Sequence, residues 1–324
     1  MPAKADTKRI ALVEIGTNST KLLIAGIGPK TQFQTLCFSV TINRIGARLT
    51  SEGRIDSKGV QRTLTAIKRF QATVNRYRCA RVFVFATYAL RRAANARVVV
   101  ERIEAASGHR VKVLSGKEEA EFAYLSAEHA LGLDKPATVL VDIGGGSTEV
   151  VLARGGRVTQ SRSLALGALH LTERFVRSDP IAKQEFMRLT DHVARVAGKL
   201  FRTSELGRLE PSRFELVVSG GSIATLVKVI DQQVHGRGPH GQGTKTRRMR
   251  SKDVAVFLDR CLAMSLKDRK RIAGLEPGRA DIIPAGLAVV VQFTRRLRKR
   301  VFRVNQGGVR EGALVYLLRN DFLW

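Results

Sequence analysis

The sequence predicts a duplicated α/β protein, and three observations carry that prediction. The stretch "LVEIGTNSTKLLI" beginning at Leu12 recurs as "LVDIGGGSTEVVL" beginning at Leu140, with the same apolar flanks, Ile-Gly step and Ser-Thr pair. Each copy is followed by segments whose apolar residues switch between strand and helix periods, the pattern of helices laid on a sheet. No linker of disordered composition separates the halves, so they are expected to pack face to face across a cleft.

In the first copy, 9–15 and 22–27 are β-branched or leucine-rich runs on either side of "GTNST", which predicts two strands joined by a tight turn. Val60, Leu64, Ile67, Val74 and Tyr77 recur at helical spacing within 58–79 and should face a core. "RVFVFATYALRRAANARVVVERI" reads as a buried strand running into a helix, with Thr87 at the junction. "RVKVLSG" is then a strand leading into the helix "KEEAEFAYLSAEHAL". The expected order is strand, strand, helix, strand, helix, strand, helix.

In the second copy, 138–158 repeats the hairpin, and a helix around 180–202, the strand "FELVVSGG" and a helix opening at Ser222 follow. "HGRGPHGQGTKTRRMRSK" (235–252) lacks apolar periodicity and is expected to form a surface loop. Helices resume near 251–265 and from Pro284 through Lys299, and "NQGGVREGALVYLLR" reads as a glycine turn into a final helix.

Composition narrows the function. With 324 residues and 44% hydrophobic content the chain can bury two cores. No apolar run approaches the roughly 18 residues of a membrane helix, and the polar start runs straight into a strand, so a cytoplasmic protein without a membrane partner is expected. Cys37, Cys79 and Cys261 are far apart, which points to buried reduced thiols, and the scattered histidines do not suggest zinc. The formal net charge of +28 is the unusual number. It is spread over both halves, with runs at "KTRRMRSK" (245–252), "KDRKR" (267–271) and "RRLRKR" (295–300), and such a field attracts polyanions. Aromatic content of 6% weighs against a stacking platform for single-stranded nucleic acid. Non-specific nucleic-acid binding through charge is still expected, falling steeply with salt. A homodimer is compatible with the sequence.

The glycine turns are the first candidate site. Gly144, Gly145 and Gly146 leave backbone N–H groups unobstructed to converge on an anion, and the Ser147 and Thr148 hydroxyls add donors. Gly16, Thr17, Asn18 and Ser19 present the same features in the first copy. A ligand-free hairpin is the alternative for one such turn; two copies, each ending its strand in a carboxylate, favour the cradle. Asp142 ends its strand and Glu149 follows the turn, so oxygen ligands there suit Mg²⁺ or another divalent cation bridging to phosphate. Gly220, Gly221 and Ser222 open a helix whose N–H groups favour an anion, although a plain strand-to-helix connection reads equally well.

Ser115 and Glu118 fit a capping box, which gives Glu118 a structural task. Glu119, about 100° further round the helix, is left as a candidate general base. Of Arg91 and Arg92, at most one is expected to turn toward phosphate, since consecutive helical residues diverge.

Together these segments resemble the exopolyphosphatase and guanosine pentaphosphate phosphohydrolase family, within the actin, sugar kinase and heat-shock ATPase superfamily. The resemblance is carried in order by "EIGTNSTKLLI", "NRIGARLTSEGRI", "ATYALRRAANA", "LSGKEEAEFAYL", "DIGGGSTEVVL", "VSGGSIATL", "RADIIPAGLAV" and "GVREGAL". It implies duplicated ribonuclease-H-like (actin-like ATPase) domains around a central cleft. The first domain would span 1–125 plus 309–324 and the second 126–308. It also implies hydrolysis of a terminal phosphoanhydride, with inorganic polyphosphate as substrate and guanosine pentaphosphate (pppGpp) as the alternative. By position, Glu119 corresponds to the base and Arg91 to the phosphate-contacting arginine, with Asn18, Ser19, Lys21 and Arg44 near the phosphates. Glu14, Asp142 and Glu149 match the metal positions. Glu14 stands where the family pattern has Asp, an extra methylene that disturbs a tight Mg²⁺ shell and raises the alternative of a polyphosphate-binding protein with weakened turnover.

Overall fold

The computed structural model describes residues 8–28, 32–133, 135–235 and 247–323. The chain divides into two compact units, one of 1–119 with 313–324 and one of 120–312.

In the first unit β1 (Arg9–Ile15), β2 (Ser19–Ile27) and β3 (Phe33–Ile42) form an antiparallel meander. The helices α1 (Leu49–Glu52) and α2 (Ser57–Arg76) follow, then β4 (Arg81–Ala86), α3 (Tyr88–Arg92), α4 (Ala96–Ser107), β5 (Val111–Val113) and the start of α5 (Gly116–Leu131), which from residue 120 belongs to the second unit. The sheet order is β3-β2-β1-β4-β5, with β1, β4 and β5 parallel. Asp56 caps α2 by accepting the Gly59 N–H. Val60, Ile67 and Val74 are buried on the sheet-facing side, with Leu64 and Tyr77 packed at its margin. The expected order omitted β3, an edge strand whose residues are all half-buried or exposed. Edge strands lack the buried face that gives alternation its signal. The single helix expected after β4 is two, because the chain breaks at Ala93–Asn95. Asn95 there exchanges two hydrogen bonds of 2.9 Å with the Ile55 backbone.

The second unit repeats the plan. β6 (Ala137–Ile143), β7 (Thr148–Arg154) and β8 (Arg157–Leu164) form the meander, and α6 (Ala168–Phe175), α7 (Lys183–Thr203), β9 (Glu215–Gly220) and α8 (Gly221–His235) follow. Then come β10 (Arg247–Arg250), α9 (Ser251–Ala263), α10 (Leu266–Arg269), α11 (Ile283–Arg296), β11 (Val301–Val304) and α12 (Val309–Arg319), the last closing into the first unit. The sheet order is β10-β11-β9-β6-β7-β8. The core gathers Val139, Val141, Leu216 and Val218 of the sheet against α7, α8, α9 and the almost wholly apolar α11. The loop expected over 235–252 is corrected where it is described. Arg247–Arg250 is a strand paired with β11 and Ser251 begins a helix, while 236–246 lie outside the described residues. Of the three thiols, expected to be buried, only Cys261 is; Cys37 and Cys79 are half-buried. Among the described residues no helix is long and apolar enough to cross a membrane.

Candidate active site

In the first unit the parallel strands β1, β4 and β5 end on the same edge of the sheet, the edge where open α/β sheets take ligands. Three chain segments leave there: the 16–18 turn from β1, Thr87 and α3 from β4, and Leu114 with the first turn of α5 from β5. The turn closes with the Gly16 N–H donating to the Ser19 carbonyl at 3.0 Å. Its own carbonyls are held from behind, Thr17 O by the Gly46 N–H and Asn18 O by the Arg44 N–H, both at 3.0 Å. Arg44 reaches that position in the left-handed region, with φ 48°. The N–H groups of Thr17 and Asn18 donate to no group among the described residues. The Asn18 side chain is buried, and neither its Nδ2 nor its Oδ1 has a partner among those residues. Leaving a buried amide unsatisfied costs about 1–3 kcal/mol per group, which a ligand in the turn would recover.

Glu119 is 6% exposed. Arg91 Nη1 donates to Glu119 Oε2 at 2.8 Å and to the Leu114 carbonyl at 2.7 Å, while Arg91 Nη2 is buried without a partner. Arg92 is exposed. Glu118 does what the capping box requires. Its carboxylate accepts the Ser115 N–H at 2.8 Å and its own N–H donates to Ser115 Oγ at 3.2 Å. Burial works against the Glu118 charge, but Lys112 and the two Ser115 donors outweigh it and hold the carboxyl below its usual range.

Glu14 and Lys21 face each other across β1 and β2 and form an ion pair of 2.6 Å. Expected at a metal and at phosphate respectively, they are here held by each other.

The second unit carries the matching arrangement on β6, β9 and β11. The Gly144 N–H donates to the Ser147 carbonyl at 2.9 Å, and the start of α6 holds the turn from behind. Ala168 N–H donates to Gly144 O and Leu169 N–H to Gly145 O, both at 2.9 Å. The Gly145 and Gly146 N–H groups make no hydrogen bond among the described residues. Gly167, which sequence reasoning passed over, permits this packing: a Cβ there would lie 2.2 Å from the Gly146 carbonyl carbon. Thr148 was expected to add a donor to the phosphate turn. Its hydroxyl is fully buried and donates to the Leu166 carbonyl at 2.8 Å, a contact that anchors the turn. Gly220, at φ 104°, lies against the Ile143 backbone where no side chain fits, and Gly221 and Ser222 form the first turn of α8.

Asp142 and Glu149 are register partners on adjacent antiparallel strands, so their carboxylates share one face. Both are buried; Ser219 Oγ donates to Asp142 at 2.6 Å and Ser163 Oγ to Glu149 at 2.7 Å. The two serines came to light only through strand register. No cluster of three acidic, histidine or cysteine ligands occurs among the described residues. The pair nevertheless fits Mg²⁺, which takes one or two carboxylates and fills its remaining positions with water and substrate phosphate.

Two ribonuclease-H-like sheets, each ending in a glycine turn with free N–H donors, define a phosphate-handling enzyme of the actin-like class. The chain belongs to the Ppx/GppA phosphatase family, whose model matches residues 23–321, and is thus a phosphoanhydride hydrolase. A Mycobacterium tuberculosis protein named Exopolyphosphatase 2 is 30% identical over 305 residues, covering 90% of this chain and 92% of that protein. A crystal structure of the Aquifex aeolicus member of the Ppx/GppA family is 27% identical, with a TM-score of 0.77 over 98% of this chain and 99% of the other. A Cytophaga hutchinsonii exopolyphosphatase structure shares the fold at 22% identity, with a TM-score of 0.88 over 97% and 98% of the two chains.

Proposed function

We propose that the chain is an exopolyphosphatase that releases orthophosphate from the end of inorganic polyphosphate. The observation that carries the reading is the Arg91–Glu119 couple on the ligand edge of the first sheet, beside a turn with an unsatisfied Asn18 amide. The named relative supports the substrate class, and the net charge of +28 suits a polymer of consecutive phosphates better than a single nucleotide.

In this reading the Thr17 and Asn18 N–H groups take up phosphate oxygens of the substrate. Arg91 aims Glu119 through its hydrogen bond, and its unpartnered Nη2 is free for a phosphate oxygen. Glu119 orients a water and accepts its proton as the new P–O bond forms; the phosphoanhydride bond breaks and the shortened chain leaves with the charge. A divalent cation held by Asp142 and Glu149 would supply neutralisation of phosphate charge.

Orthophosphate release from long-chain polyphosphate and from pppGpp, measured in parallel with Mg²⁺, tests the reading. Faster release from the polymer is expected; release from the nucleotide alone would replace it with the pppGpp phosphohydrolase reading.

A further inference from the structure

The described part of one basic run, 247–252, converges with another, 295–300, in the second unit. β10 pairs antiparallel with β11, with Arg250 opposite Val301, so the chain entering α9 lies beside the chain leaving α11. Between them is a cavity of ≈ 810 Å³ whose lining includes Arg250, Lys252, Arg295, Arg298, Lys299 and Arg300. The remaining lining residues are uncharged, and none is aromatic. Left-handed Arg298, with φ 53°, reverses the chain at the end of α11 and places Arg295 and Arg300 on the same cavity. Lys299 is engaged: its ammonium donates to the Pro211 carbonyl and, at 2.6 Å, to the Phe214 carbonyl. Arg250 is partly neutralised by Asp253 at 2.9 Å. Lys252, Arg295, Arg298 and Arg300 are exposed and have no ion pair among the described residues.

The cavity lies away from the phosphate turn of its own unit. β11 runs parallel to β9 with Arg303 beside Val217, and by that register Val301 is level with Glu215, at the opposite end of β9 from Gly220. Five residue steps along β9 separate the two ends, about 16 Å. A long polymer spans that distance and a triphosphate group does not.

We propose that this basic cavity is a second anchoring site for condensed inorganic phosphate, gripping a stretch of the chain remote from the end being hydrolysed. The proposal rests on the polyphosphate reading above. The concave lining, whose charged residues are all cationic, suits a ligand that carries charge on every unit, and the lack of aromatic side chains leaves nucleic-acid bases nothing to stack on. Linking a weak anchor to the hydrolytic site raises affinity by effective concentration, so the site governs chain-length preference.

The test compares the wild type with Arg298→Gly and with the triple variant Arg295→Ser, Arg298→Gly, Arg300→Ser. Glycine is at ease in the left-handed region, and Lys299 is left in place, so the fold is retained; matching circular dichroism and melting curves check this. KM for long-chain polyphosphate should rise at least about tenfold in the triple variant, with both constants for tripolyphosphate within about twofold of wild type. The salt slope of long-chain binding should fall by about 2 to 3, one for each lost contact. An unchanged KM and slope would overturn the anchor while leaving the hydrolytic reading intact. If the wild type hydrolyses no polyphosphate, the hydrolytic reading fails on its own. Equilibrium binding then decides the cavity, loss of long-chain binding in the variant supporting it and retention overturning it. Equal competition by duplex DNA at the same phosphate concentration would mark a nucleic-acid surface and also overturn it.

Discussion

The hairpins β1–β2 and β6–β7 close with the same hydrogen bond, Gly16 to Ser19 in one and Gly144 to Ser147 in the other, and in each the next chain segment holds the turn from behind. They differ at the residue opposite the strand-end carboxylate. Lys21 faces Glu14 in the first unit, whereas Glu149 faces Asp142 at the same register position in the second. One hairpin neutralises its own carboxylate; the other gathers two, with serine hydroxyls as their donors. Both copies keep the same turn backbone, and the residue opposite the strand-end carboxylate decides whether the hairpin is charge-balanced or suited to a cation.

The largest effect expected from this difference lies in the second hairpin. Asp142→Asn or Glu149→Gln should raise the divalent-cation concentration needed for half-maximal phosphate release by about 10–100-fold, read from metal titrations. Glu14→Gln should shift that titration by less than about threefold, and an equal shift would abolish the distinction. Next comes stability. Lys21→Met leaves Glu14 as a buried carboxylate without its cation and should destabilise the first unit by about 2–3 kcal/mol in urea melts. The double variant Glu14→Gln, Lys21→Met should recover most of that loss. In the second hairpin Gly167→Ala should cost about 2 kcal/mol or more, since its Cβ meets turn backbone, while Gly308→Ala meets nothing within 4 Å and should be close to neutral.

The smallest effect concerns pH. Burial, with Arg174 and His192 nearby, holds His170 below its usual pKa. Its folded pKa is the depressed one, so its contribution to stability is complete above the unfolded value near about 6.5 and is lost as pH falls through the folded value. The melting temperature should drop on acidification, and His170→Gln should flatten that dependence. Among the described residues the first turn is held from behind by Arg44 and Gly46 and by no histidine.

Much of this was legible in the chain. The repeat located both hairpins, helical spacing picked out Val60, Ile67 and Val74, and the capping box separated Glu118 from Glu119. What sequence hid was tertiary pairing. β3 and β8 are edge strands with mixed burial, and β10 is "RRMR", in which only Met249 reaches the core. Strand formation there comes from a neighbour's hydrogen bonds and not from propensity. The same holds at the site: nothing local in the sequence says that Lys21 meets Glu14, that Thr148 turns to Leu166, or that Ser219 and Ser163 serve the two acids. Register decides each of these.

The base assignment is tested most directly by Glu119→Gln. With long-chain polyphosphate and saturating Mg²⁺, the variant should bind the polymer as the wild type does but release orthophosphate at least about 10²-fold more slowly. Release within a few-fold of wild type, with binding unchanged, would contradict the account.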